Sequence, residues 1–180
     1  MSRMRFLPLA LAVSAAAALA ALSPALGQSS SLKGHNSDAP VDVAADRIEV
    51  QDRADRAIFS GRVEVRQGNL QLSTARLTVA YASAGGIEIN RLEASGGVTL
   101  RSPSETARGQ FAIYDTARRL VTMIGGVVLT RGDSNVRGGR LVLDLDSGRA
   151  VMDGGGPGTP GASGTGGRVT GRFTVPRRGN

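Results

Sequence analysis

The 180-residue chain has no cysteine and no tryptophan, a single histidine, and an aromatic content of 3%. Without cysteine there is no disulfide framework, no thiolate metal site and no cysteine nucleophile. A Ser-His-Asp triad would depend on His35 alone. Lys33 is the only lysine, so no glycine-rich phosphate loop ending in Gly-Lys-Ser/Thr exists. Acidic side chains are missing from both ends. Residues 1–27 carry +2 and residues 154–180 carry +4, whereas residues 28–153, with 16 basic and 15 acidic side chains, carry only +1. The overall +7 therefore belongs to the termini. A domain built to neutralise phosphates and stack on bases would look different, so no nucleic-acid partner is expected. What remains is a chain that is 41% apolar with 25 glycines, a globular composition.

Residues 1–27 read as a signal peptide. Arg3 and Arg5 form a positive start, Phe6 to Leu22 an Ala/Leu-rich apolar stretch, and Ser23-Pro24 a break. Ala25-Leu26-Gly27 then offers small residues before Gln28. The alternative is an uncleaved anchor, for which a stretch interrupted by Pro8 and Ser14 is short. Residues 28–40 read as a flexible lead-in. Residues 154–167 read as a disordered Gly/Pro-rich insert, and residues 168–180 as a last strand with a basic tail. Gly156-Pro-Gly-Thr-Pro-Gly161 matches a dinucleotide fingerprint in letters only. Its prolines and the lack of a following helix deny it the helix N-terminus a pyrophosphate needs.

Between these ends the period is two. Phe59, Gly61, Val63 and Val65 alternate with Ser60, Arg62, Glu64 and Arg66. Leu92, Ala94, Gly96, Val98 and Leu100 form a second such run, and Leu141, Leu143 and Leu145 a third. This is strand alternation with one apolar and one wet face. The runs also repeat. Phe59-Ser-Gly-Arg-Val-Glu-Val65 aligns with Ala94-Ser-Gly-Gly-Val-Thr-Leu100 and Met123-Ile-Gly-Gly-Val-Val-Leu129. Each is followed by a small residue, a polar one and a second strand, starting at Ala75, Gly109 and Gly139. A single unit cannot bury its apolar face, so the units must stack into an antiparallel β structure with an edge at each end. The repeated glycines Gly61, Gly96 and Gly125 read as bulges that curve the sheet.

These units resemble the OstA/LptA family of periplasmic lipopolysaccharide-transport proteins. Val41 to Val50 is similar to that family's first strand, Phe59 to Gly68 with Leu70 to Leu77 to its hallmark, and Gly125 to Gly138 to its late hairpin. The resemblance covers residues 41–153, the β-jellyroll domain, and Arg168 to Pro176 is similar to the final strand. It implies an all-β fold, an open, twisted antiparallel β-jellyroll. It also implies lipopolysaccharide acyl chains in the apolar interior, and a periplasmic, head-to-tail bridge. That bridge runs from an LptC-like inner-membrane protein to an LptD-like outer-membrane one. An LptC-like anchored component and a purely structural β-repeat polymer with a dry core are the alternatives.

Alternation selects an inward set, and the family resemblance implies that it faces the lipid. It comprises Phe59, Val63, Val65, Leu72, Leu77, Val79, Leu92, Val98, Leu100, Phe111, Ile113, Val121, Met123, Val127, Leu129, Leu141, Leu143 and Leu145. The first strand and a late one, Arg140 to Val151 or Arg168 to Val175, are the candidate edges for pairing between chains. No catalytic, metal or cofactor site is expected. Asp144 and Asp146 share the wet face but supply too few oxygen ligands for calcium.

Overall fold

The structure is a computed structural model, and it describes residues 35–83, 86–155 and 167–174. The expected signal peptide, residues 28–34 of the lead-in, residues 156–166 of the insert and the tail from 175 lie outside the described residues. The strands are β1 (Val41–Ala44), β2 (Arg47–Gln51), β3 (Arg56–Gln67), β4 (Leu70–Ala82) and β5 (Glu88–Arg101). They continue as β6 (Glu105–Asp115), β7 (Leu120–Arg131), β8 (Ser134–Asp144), β9 (Arg149–Asp153) and β10 (Thr170–Arg172). All pair antiparallel in one ten-stranded sheet with the order β1-β3-β4-β5-β6-β7-β8-β10. β2 lies off this path on β3, and β9 on β8. β1 and β10 do not pair with each other, so the sheet is an open jellyroll, as expected.

The repeated glycines divide it. Register slips fall between Ser60 and Val63, Ser95 and Val98, and Ile124 and Val127, in one row across the sheet. Gly61, Gly96, Gly97, Gly125 and Gly126 in that row all have positive φ, as does Arg62. A Cβ on Gly96 would also stand 2.9 Å from the Ala75 Cβ. Bulges at matching heights bend every long strand at its middle, and the sheet folds over itself.

Two half-sheets result. The first takes β1, the glycine-side ends of β3 to β8 around Val63–Gln67 and Ser134–Gly138, and β10. The second takes β2, the other ends of the same strands, and β9. Their inner faces carry the core. Val63, Val98 and Val127 of the first face Leu77, Met123, Leu141 and Leu143 of the second, all essentially sealed from solvent. Each such side chain contributes about 1.5–3 kcal/mol of burial.

Two expectations need correction: Phe111 and Ile113 do not point inward. Phe111 is 43% exposed, and the buried residue beside it is Ala112. Opposite Ala94 on β5 stand Leu77 of β4 and Ala112 of β6. Phe111 occupies the place that Arg76 holds on β4, and it faces Ile124 of β7, as Arg140 of β8 does. The repeat alignment of this unit is off by one: Gly109 matches Gly138, not Gly139. The phase breaks inside β4 and β6. Ala107 and Ala112 are both buried, as are Thr74 and Leu77, although an odd number of steps separates each pair. Strict alternation carried across the break at Gln110 inverts the faces of everything beyond it.

At the C-terminal side, a Cβ on Gly154 would fall 1.5 Å from the Gly167 carbonyl oxygen. The two ends of the 156–166 segment therefore lie side by side, and the chain re-enters the sheet as β10 on Asn135–Arg137 of β8. The last strand is real but shorter than expected, Thr170–Arg172.

An apolar interior with uncovered edges

Between the half-sheets lies a cavity of about 510 Å³ of empty space, counted to its mouth. Val65, Leu70, Leu72 and Leu100 line it from the first half-sheet; Leu77, Leu92, Ala94, Ala112, Tyr114 and Val121 line it from the second. Val41 of β1 and Leu145 close its ends. Of the expected inward set, Val63, Val65, Leu77, Val79, Leu92, Val98, Leu100, Val121, Met123, Val127, Leu141, Leu143 and Leu145 are buried in one cluster. Phe59, Leu72 and Leu129 pack against it partly buried. The sequence reading missed Leu70, Ala94, Ala107, Ala112 and Tyr114. Leu70 was legible from its phase with Leu72. Ala94 stood in the apolar run Leu92–Leu100 but was left out of the inward set, and Ala112 and Tyr114 emerge only once Gly109 is aligned with Gly138.

The apolar surface does not stop where the core does. Ile48 and Val50 on β2 pair with Phe59 and Ala57 and so continue the inner face of the second half-sheet. They are 56% and 55% exposed, because β1 does not extend far enough to cover them. At the other edge Phe173, following β10, is 66% exposed. It stands at an opening of about 810 Å³ together with Leu129, Val136 and Ala150. Both edges therefore present the same greasy layer that the middle encloses.

One end of the fold is strapped. Residues 35–40 cross from the β3–β4 turn toward the β6–β7 and β8–β9 turns. The Gln67 amide donates to the carbonyls of Ser37 at 2.8 Å and Ala39 at 3.1 Å. His35 Nε2 donates to Gln67 Oε1 at 3.3 Å, and its Nδ1 lies 2.9 Å from Asn69 Oδ1. Arg119 binds Asp38 at 3.0 Å and Asp146 at 2.8 Å, tying strap and turns together. Beneath them, burial pushes the Tyr114 phenol above its ordinary value. The final residues of the lead-in are thus hydrogen-bonded rather than loose, and among the described residues His35 bonds to Gln67 and Asn69, as a structural residue does.

Charged groups elsewhere are absorbed locally. Arg62 holds Asp46 at 2.6 Å where the chain passes from β1 to β2, and that hydrogen bond lowers the Asp46 carboxyl and raises the guanidinium. Arg66 pairs with Glu64. Asp144 accepts the backbone N–H groups of Asp146 and Ser147 at 3.0 Å, which lowers its carboxyl as well. Among the described residues no group of three metal-ligating side chains comes together, and no helix is long and apolar enough to cross a membrane.

The fold is an open β-roll with a hydrocarbon-lined slot between its two halves. Residues 42–149 match the family model described as LptA/(LptD N-terminal domain) LPS transport protein. A protein of Rhizobium meliloti (strain 1021), itself uncharacterized, is 32% identical over 155 residues, 80% of this chain and 83% of its own length. The crystal structure of LptH from Pseudomonas aeruginosa superposes with a TM-score of 0.68 at 16% identity, over 78% of this chain and 99% of that one. LptH is described as the LptA homologous periplasmic component of the conserved lipopolysaccharide transport device. The chain belongs to the LptA/(LptD N-terminal domain) family of lipopolysaccharide-transport proteins, which are bridge components and not enzymes.

Proposed function

We propose that this chain is a periplasmic bridge component that shelters lipopolysaccharide acyl chains in its β-roll. The observation that carries this reading is the continuity of the apolar layer from uncovered β2, through the slot between the half-sheets, to the opening beside β10. An acyl chain in water costs about 0.8 kcal/mol per CH2 relative to an apolar environment. A passage across water therefore needs an unbroken greasy path rather than specific polar contacts. The edge strands supply the other half of the function. β1 with β2 at one side, and β9 with β10 at the other, offer backbone groups for strand addition. Adding one chain's late edge to the next chain's early edge joins unlike surfaces, so the assembly grows head to tail. Its ends meet an LptC-like inner-membrane protein and an LptD-like outer-membrane protein. No energy source is built into this scheme, so the lipid is pushed from elsewhere.

Photocrosslinking tests it. A photoreactive residue at Val98 or Leu100, on the inner face, is expected to capture lipopolysaccharide, and one at Phe111, on the outer face, is not. Capture at neither inner position would favour a dry-core structural polymer.

A further inference from the structure

The inner face of the first half-sheet is apolar along most of its depth but ends on a polar margin. Gln67 of β3, Ser102 after β5, Glu105 of β6, Arg131 of β7 and Ser134 of β8 succeed one another along the strand ends of this half-sheet farthest from the glycine row. The strap covers this margin at Gln67. Farther along, toward β10, it borders the large opening.

Glu105 and Arg131 are the centre of that margin. They face each other across β6 and β7. Arg131 Nε donates to Glu105 Oε1 at 2.7 Å, and Nη2 donates to the same oxygen. The other carboxylate oxygen, Oε2, is buried and accepts no hydrogen bond, and the side chain is 5% exposed. Glu105 lines two concavities at once. One is an apolar recess of about 190 Å³ with Leu70, Leu100 and Leu143; the other is the opening with Phe173. A buried, unsatisfied carboxylate oxygen is costly. An inward ion pair is also a poor way to stabilise a sheet, since an apolar pair of similar volume generally does as well or better. Folding alone gives no reason for this arrangement.

We propose that Glu105 Oε2 is the acceptor for the polar head of a bound amphiphile, taking a hydrogen bond from a hydroxyl or amide N–H carried next to the acyl chain. The inference rests on the acyl-sheltering reading above and adds a head-group preference to it. The acyl chain lies in the opening beside Leu129, Val136 and Phe173, and the first donor of the head reaches the orphaned oxygen. Arg131 holds the carboxylate in place through Oε1. An ester in the same place has no proton to give, so it leaves Oε2 unsatisfied.

The test uses the full chain and two ligands of equal length, N-methyl dodecanamide with one N–H and methyl dodecanoate with none, each displacing a bound fluorescent polyene fatty acid. The amide is expected to bind about tenfold more tightly than the ester, the value of one hydrogen bond to a charged acceptor. In the double variant Glu105→Leu/Arg131→Leu, shown folded by its thermal transition, the two ligands are expected to bind alike. Should that variant not fold, Glu105→Gln replaces the orphaned oxygen by an amide nitrogen and is expected to cut the preference to less than about threefold. Equal affinity of both ligands for the unaltered chain, or a preference that survives in a folded variant, overturns the proposal and leaves acyl sheltering intact. Displacement by neither ligand overturns acyl sheltering itself, and the head-group site with it.

Discussion

The phase break in β6 makes two neighbouring residues respond in opposite ways to one substitution. Ala112 is 3% exposed on the inner face, between Ala94 and Met123, while Phe111 is 43% exposed on the outer face. Ala112→Asp places a carboxylate against Leu77, Leu92 and Val121 with no cation on that surface. An uncompensated buried charge costs about 3–5 kcal/mol. Phe111→Asp removes a half-buried ring from the wet face, for about 1 kcal/mol. With a urea dependence of about 2 kcal/mol/M, the first variant should lose about 2 M of midpoint and the second about 0.5 M. Far-ultraviolet circular dichroism follows the transition, since the chain has no tryptophan to report it. Unbroken alternation predicts the reverse order, because it turns Phe111 inward and Ala112 out. A larger midpoint loss for Phe111→Asp than for Ala112→Asp would refute the assignment of faces.

Three further perturbations follow from the same geometry. Gly96→Val puts a β-branched side chain at φ +85°, with its Cβ 2.9 Å from that of Ala75, and should cost about 2 kcal/mol or more in the denaturation midpoint. An unchanged midpoint would mean that the bulge row bears no strain. Gln67→Ala removes both donors to the strap carbonyls, and should raise amide exchange across residues 37–39 while leaving the core strands protected; unchanged exchange there would show that Gln67 does not hold the strap. Asp46 has a lowered carboxyl in the folded state, so its pairing with Arg62 stabilises above its ordinary value near 3.8 and is lost as the pH falls through the folded value. The stability gap between the unaltered chain and Asp46→Asn should therefore be larger at pH 7 than at pH 3, and a gap independent of pH would contradict it.

Much of this was written locally. Side-chain alternation along Phe59–Val65, Leu92–Leu100 and Leu141–Leu145 specified strands, and the glycines at 61, 96 and 125 specified where they bend. Both signals are read within a few residues, because a strand's two faces and a positive φ are properties of the backbone at that point. The family resemblance rested on Phe59 to Leu77 and Gly125 to Gly138 among others, and the family match over residues 42–149 covers both. The inward set followed wherever alternation ran unbroken, as at Leu92 and Leu141.

Other features had no local signature. Whether Phe111 or Ala112 turns inward depends on how β6 makes up the slip imposed by Gly125 and Gly126 on its neighbour β7, and register across strands is a nonlocal matter. The strap looks like a polar linker in sequence, and only the fold brings Gln67, Asn69 and Arg119 within its reach. Glu105 and Arg131 lie 26 residues apart, with no local signal that joins them; pairing of β6 with β7 turned both onto the greasy face. The chain alone thus determined what its strands are and where they bend. Folding decided which side chains meet between the halves, because those contacts join residues that are distant in sequence and adjacent only after the sheet has doubled over.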